Sequence, residues 1–236
     1  MTRAQEIADG LAAVQARISA AERAAGRAPG SVRLLAVSKK MPPDDVRAAM
    51  AAGQRAFGEN YAQELRDKRA ALAGAPAPPE WHYIGPLQSN KVKYVAGQVA
   101  LVHTVDSAAL LEAIAARGAP QACLVQVNVA GEAQKRGLPP ADLPALLDRF
   151  AALPNVTCAG LMLIPPLTED PDQARPHFAA LRALRAREAA IARPNVDLRE
   201  LSMGMSGDLE AAIAEGATIV RVGTAIFGAR LASSQN

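Results

Sequence analysis

Lys39 and the small polar residues around Ser202 and Thr224 are where this chain can do chemistry. Lys39 follows the apolar run 32–38. A lysine head desolvated at such a strand end has a lowered pKa, and its free amine attacks carbonyl carbon; alone, it is most simply a surface lysine. Ser202, Gly204, Gly223 and Thr224 stand at or just after the ends of the last two apolar runs. Glycines let backbone N–H groups approach an anion, and a short helix behind them favours negative charge, so these residues suit a phosphate. Outside a barrel the same Ser-Met-Gly and Gly-Thr pieces would read as turn chemistry. An amine and a phosphate site in one pocket are what a phosphorylated aldehyde cofactor requires, and pyridoxal phosphate is the obvious candidate. Arg221 shares a face with Ile219 and Gly223. A guanidinium there needs a partner, either a salt bridge or a pyridine nitrogen that it would keep unprotonated. His82 and His103, inside strands, read as satisfied core residues, with His82 a second candidate for pocket lining; His177 reads as surface.

The elements that must position these residues follow from periodicity. Ile7, Leu11, Val14 and Ile18 recur at helical spacing, which predicts an amphipathic N-terminal helix ending near Gly26. Eight β-like runs follow, at 32–38, 55–58, 81–85, 101–105, 123–129, 157–164, 198–202 and 219–223. Helix signals lie between them: Pro42-Pro43-Asp44-Asp45 opens one helix, Asp106-Ser107 caps another, and 172–191 is the longest. This alternation predicts parallel strands with helical crossovers. Eight units suit a single closed (β/α)8 TIM barrel with an extra N-terminal helix better than a doubly wound sheet. Against the latter, Ser38-Lys39-Lys40-Met41-Pro42 follows the first strand where a dinucleotide site needs G-x-G-x-x-G. Function then belongs to the C-terminal ends of the strands.

Composition bounds the rest. The chain has 236 residues, between one and two domains at roughly 150 residues each, and one barrel domain over 1–236 is expected. It ends shortly after Phe227-Gly228-Ala229-Arg230, so no second domain is expected. Half of the residues are apolar, with one Trp, three Tyr and four Phe; aliphatics must therefore fill the core. The net charge is +3 with the basic residues scattered, which argues against nucleic acid as a partner. No apolar run approaches the roughly 20 residues of a membrane helix. The N-terminus carries Glu6, Asp9 and Glu22 and resembles neither a secretion signal nor a transit peptide, so cytoplasm is the expected compartment. Cys123 and Cys158 lie in apolar runs and read as buried thiols; no CxxC or HExxH spacing occurs.

Several segments together resemble the pyridoxal phosphate homeostasis protein family: Leu34-Leu35-Ala36-Val37-Ser38-Lys39, Phe57-Gly58-Glu59-Asn60-Tyr61, Trp81-His82-Tyr83-Ile84-Gly85-Pro86-Leu87-Gln88-Ser89-Asn90-Lys91, Gly160-Leu161-Met162, Leu201-Ser202-Met203-Gly204-Met205-Ser206 and Arg221-Val222-Gly223-Thr224-Ala225-Ile226-Phe227-Gly228. The resemblance covers nearly the whole chain. It implies a barrel like the N-terminal domain of alanine racemase, with pyridoxal 5'-phosphate held as an imine on Lys39 and not on Lys40. It further implies that Ser202, Gly223 and Thr224 cradle the phosphate, that Arg221 faces the pyridine nitrogen and that Asn60 lines the pocket. Gly207 and Leu163 depart from the family's usual residues, at positions expected not to touch these contacts.

Two kinds of protein compete for such a site. A racemase needs a second acid or base on the other face of the cofactor, supplied in related two-domain enzymes by a further domain. The resemblance implies instead a carrier that binds the cofactor reversibly, with pyridoxal phosphate-dependent recipient enzymes as partners and no amino-acid turnover. A monomer is expected. A Schiff-base aldolase is the third reading, but it has no need of a pyridine partner such as Arg221.

Overall fold

Ile7, Leu11, Val14 and Ile18 are buried along one face of the first helix, α1 (Arg3–Ala24). Thr2 caps it by accepting from the Gln5 N–H, and the chain leaves through Gly26 at φ +65, the left-handed conformation in which helices commonly end. The computed structural model describes residues 1–132, 136–166 and 170–228. Within them run β1 (Arg33–Val37), β2 (Ala56–Glu59), β3 (Glu80–Tyr83), β4 (Leu101–Val105), β5 (Gln121–Gln126), β6 (Val156–Met162), β7 (Val196–Ser202) and β8 (Ile219–Val222). All are parallel to their neighbours, and β8 pairs with β1 to close a barrel in chain order. Every expected strand forms, with ends displaced by a few residues; β5, for example, stops at Gln126 where apolarity runs on to Val129. Apolar periodicity marks a buried run, not the point where ladder hydrogen bonds stop.

The crossovers carry α2 (Pro43–Ala51), α3 (Ala62–Ala71), α4 (Ala108–Ala115), α5 (Leu143–Ala151), α6 (Arg175–Ala189) and α7 (Leu209–Ala214), and β8 runs into α8 (Thr224–Phe227). Proline opens α2, and the Ser107 hydroxyl accepts from the Leu110 N–H to cap α4. The expected 172–191 helix is a 3-10 turn, Pro171–Ala174, leading into α6. The third crossover departs from the α pattern: Ser89–Tyr94 is a 3-10 helix burying only Val92. With one apolar anchor there is no stripe to lay on the barrel, and the tighter geometry suits a short piece. Ala229 and Arg230 lie outside the described residues.

Strand alternation sorts side chains into two cores. Leu34 and Ala36 of β1 join the layer between barrel and helices, whereas Leu35, with Val37 packed against it, belongs to the barrel interior beside Ala56, Ile84, Leu101, Leu124, Met162 and Ile219. Burying a side chain of this size contributes about 1.5–3 kcal/mol. Cys123 and Cys158 are level with each other on β5 and β6, free and buried. Burial pushes both thiols up, so they behave as inert packing groups. Among the described residues no helix is long and apolar enough to cross a membrane.

Candidate functional site

A cleft of about 270 Å³ opens at the C-terminal ends of β1, β2 and β8, lined by Lys39, Asn60, Arg221, Gly223 and Thr224. Ser206, Gly207 and Met205 of the loop after β7 close one side, and Val37, Ile84 and Ile164 supply apolar wall. A larger depression, about 570 Å³, lies on the outer wall beside α2 and the loop into β3. It contains none of the expected residues.

Lys39 is carried to the cleft by the inner face of β1, and the turn after it is held from below. The Ser38 carbonyl accepts from the Met41 N–H at 3.0 Å and from the Lys68 Nζ at 2.6 Å. Lys40 occupies the third position of this turn at φ +63, as in a type II turn, and its N–H donates to Glu64 Oε1 at 2.5 Å. Lys40 is exposed and Lys39 half-buried. Behind the strand wall Lys68 also donates to Glu59 Oε1 and Glu64 Oε1, both at 2.7 Å. Glu59 Oε1 takes the Ser38 hydroxyl too, at 2.7 Å. Burial pushes the Glu59 carboxyl up to about 7 against the pull of Lys68.

Arg221 is 5% exposed. Its Nη2 donates to the Leu163 carbonyl at 3.0 Å and its Nη1 to Ser202 Oγ at 2.8 Å. No carboxylate is hydrogen-bonded to it among the described residues; Asp208 acts only through space, and burial lowers the guanidinium to about 10. Ser202 is fully buried and lies in the barrel interior beneath Arg221, not on the cleft wall. The hydroxyls at the cleft are Ser206 Oγ and Thr224 Oγ1, 3.4 Å apart. Ser206 follows the turn at Gly204, φ +93, where a Cβ would meet the Ala212 Cβ at 2.6 Å. Gly223 packs so close to β1 that a Cβ there would meet the Val37 carbonyl oxygen at 3.2 Å.

Asn60 Oδ1 is buried without a hydrogen-bond partner, leaving an acceptor at the cleft. The expectation that Leu163 and Gly207 stand clear of the site is corrected: Gly207 lines the cleft, and Leu163 accepts from Arg221. The latter contact is through backbone, which is why side-chain type at 163 did not signal it. His82 and His103 are core residues as expected, yet they bond to each other at 2.8 Å. His82, a candidate for pocket lining, is not among the residues that line the cleft, and Ser206, Glu59, Lys68 and the pairing of the two histidines carry no site signal along the chain. Ser206 sits in the quoted motif, but nothing local separates it from Ser202. Among the described residues no cluster suited to a metal occurs.

The chain matches the family described as alanine racemase, N-terminal domain, over residues 10–231. It is 50% identical over 229 residues to a pyridoxal phosphate homeostasis protein of Pseudomonas aeruginosa, spanning 95% of this chain and 96% of that one. PipY of Synechococcus elongatus, solved with PLP bound, superposes with a TM-score of 0.81 at 40% identity over 94% of this chain and 100% of that one. An unknown protein from Bifidobacterium adolescentis superposes with a TM-score of 0.88 at 42% identity, covering 95% and 96% of the two chains.

Proposed function

The chain belongs to the alanine racemase N-terminal domain family and, within it, to the pyridoxal phosphate homeostasis proteins, and on that premise we propose that it is a monomeric, cytoplasmic carrier that holds pyridoxal 5'-phosphate on Lys39. It limits the free aldehyde, delivers the cofactor to enzymes that depend on it, and does not itself turn over amino acids. The whole chain acts as one cofactor-binding domain.

The residues at the cleft fit this cofactor. Arg221 carries the argument: a guanidinium this buried, with no carboxylate bonded to it and its edge on the cleft, is costly unless a ligand atom accepts from it. A pyridine nitrogen is such an acceptor, and Arg221 holds it unprotonated. Asn60 Oδ1, lacking a partner, suits the ring hydroxyl. The Ser206 and Thr224 hydroxyls with the Gly223 N–H suit a phosphate; Ser202 serves the site from beneath, through Arg221. When bound, the cofactor supplies a reactive aldehyde and an electron-withdrawing ring. The Lys39 amine adds to the aldehyde carbon, the carbonyl oxygen leaves as water, and the resulting imine returns both partners when water adds back. Fixation of residues 38–41 by Lys68, Glu59 and Glu64 aims the amine.

Borohydride reduction of the protein mixed with pyridoxal phosphate, followed by peptide mapping, tests the assignment. The label is expected on Lys39, with a visible absorption band before reduction that Lys39→Ala abolishes. A label on Lys40, or no label in the loop after β1, overturns it.

A further inference from the structure

A line of buried polar side chains crosses the barrel from its lower rim to Arg221. Glu80 Oε1 stands 2.7 Å from His82 Nε2, and His82 Nδ1 stands 2.8 Å from His103 Nε2. His103 Nδ1 is 2.9 Å from Ser202 Oγ, which is 2.8 Å from Arg221 Nη1. His103 on β4 and Ser202 on β7 are not on neighbouring strands, so this link spans the interior. Every side chain from His82 to Arg221 is at most 5% exposed, and each ring nitrogen of the two histidines and Ser202 Oγ has a hydrogen-bond partner.

The two ends dictate the direction of every link. A guanidinium only donates and an ionised carboxylate only accepts. Arg221 therefore donates to Ser202, whose own O–H has His103 Nδ1 as its acceptor. That leaves the His103 proton on Nε2, pointing at His82 Nδ1, and the His82 proton on Nε2, pointing at Glu80. Reversing one link would set two donors or two acceptors face to face in the core, where an unmade bond is expensive.

We propose that Glu80, His82, His103 and Ser202 form one oriented hydrogen-bond chain whose purpose is to hold Arg221 as a donor toward the cleft, which makes the lower-rim carboxylate a remote positioning residue for the cofactor's pyridine nitrogen. The role toward the cofactor rests on the function proposed above; the orientation of the chain does not. The surrounding charges agree with it. Arg33 lies 2.9 Å from Glu80 and 3.4 Å from Glu200 at the lower end, and Asp208 faces Arg221 from the loop before α7. Burial holds His82 below the ordinary imidazole range against the pull of the Glu80 hydrogen bond, and burial, followed by the charges of His82, Arg221 and Arg33, holds His103 well below it, so the chain stays neutral between its charged ends.

Long-range proton–nitrogen NMR of the histidines in cofactor-free protein tests the orientation. Both rings are expected neutral with the proton on Nε2 around neutral pH; an Nδ1–H form or an imidazolium at either position overturns the proposal. The coupling to the cleft is tested by titrating pyridoxal phosphate into His103→Leu, His103→Gln and Glu80→Gln. A glutamine amide at 103 can accept from Ser202 and donate onward, whereas leucine cannot. Leucine is expected to weaken affinity roughly tenfold, as for loss of a hydrogen bond to a charged group, and to shift the visible band, with glutamine recovering both. Glu80→Gln, at the partly exposed rim, is expected to fold normally, to mix the His82 tautomers and to weaken binding a few-fold. If Glu80→Gln or a folded His103→Leu matches wild type in band and affinity, the coupling is wrong while the carrier reading stands. If wild type itself binds no pyridoxal phosphate, the carrier reading fails and the coupling with it, and the tautomer result still decides the orientation.

Discussion

Thr224 and Glu59 carry the sharpest expectations at the residue scale. Thr224 Oγ1 pairs with Ser206 Oγ at the cleft, and a hydrogen bond to a charged group is worth about 1.5–3 kcal/mol. Thr224→Val should therefore weaken pyridoxal phosphate binding roughly tenfold or more, measured by titration of the visible band; an unchanged dissociation constant would remove Thr224 from the phosphate site. Glu59 is raised by burial from about 4.5 to about 7. Between those values the folded chain holds a proton that the unfolded chain has released, so this group's stability contribution falls as pH rises through the window. His82 and His103, lowered by burial, act in the opposite sense, so the clean quantity is the difference between wild type and Glu59→Gln. Urea midpoints should show wild type losing ground to the variant from pH about 4.5 to about 7. Gaining ground instead would mean that the Lys68 ammonium, 2.7 Å away, outweighs desolvation.

At the scale of elements, α1 acts as a strap over the place where β8 meets β1. Its Arg3 donates to the Phe227 carbonyl of α8 at 2.8 Å and pairs with Asp45 of α2 at 2.6 Å. Its Arg17 donates to the Ser206 carbonyl at 3.0 Å and pairs with Glu210 of α7 at 2.7 Å. The helix thus holds both segments that bring hydroxyls to the cleft. Gly10 lets it lie that close, since a Cβ there would meet the Ala225 and Ile226 carbonyl oxygens at 2.9 Å each. Helix propensity alone favours alanine by about 1 kcal/mol, but overpacking against backbone typically costs about 1–3 kcal/mol. Gly10→Ala should lower the denaturation midpoint. A raised midpoint would show that α1 shifts freely.

On the scale of the whole molecule, one closed barrel offers a cleft where Lys39, just past the end of β1, stands beside Arg221 of the adjoining β8. An unprotonated pyridine nitrogen stabilises a substrate carbanion poorly, and racemisation also needs an acid or base on each face of the cofactor. The loaded protein, incubated with each common L-amino acid, should show no change of chirality and no keto acid at rates near ~1 per second, the low end of ordinary enzymes. Turnover at that rate, abolished by Lys39→Ala, would replace the carrier by an enzyme.

By itself, the sequence determined the barrel, because alternating strand and helix periods admit few other closures, and it determined α1, because four apolar residues at helical spacing must cover something. It also marked Lys39, Gly223 and Thr224 at the ends of apolar runs, where a barrel keeps its chemistry, and Arg221 as a guanidinium within the last of them. Contacts between inward side chains of different strands were decided only by the tertiary structure. Periodicity says which face a residue takes and is silent on its level in the barrel or its partner across it. So Ser202 and Ser206, alike in one short motif, part company at the Gly204 turn, one beneath Arg221 and the other at the cleft. His82 and His103, each a lone histidine along the chain, become a bonded pair. Glu59 and Lys68 meet behind the wall of β1 and β2 only because α3 folds back over it, a closure set by packing rather than by any local pattern.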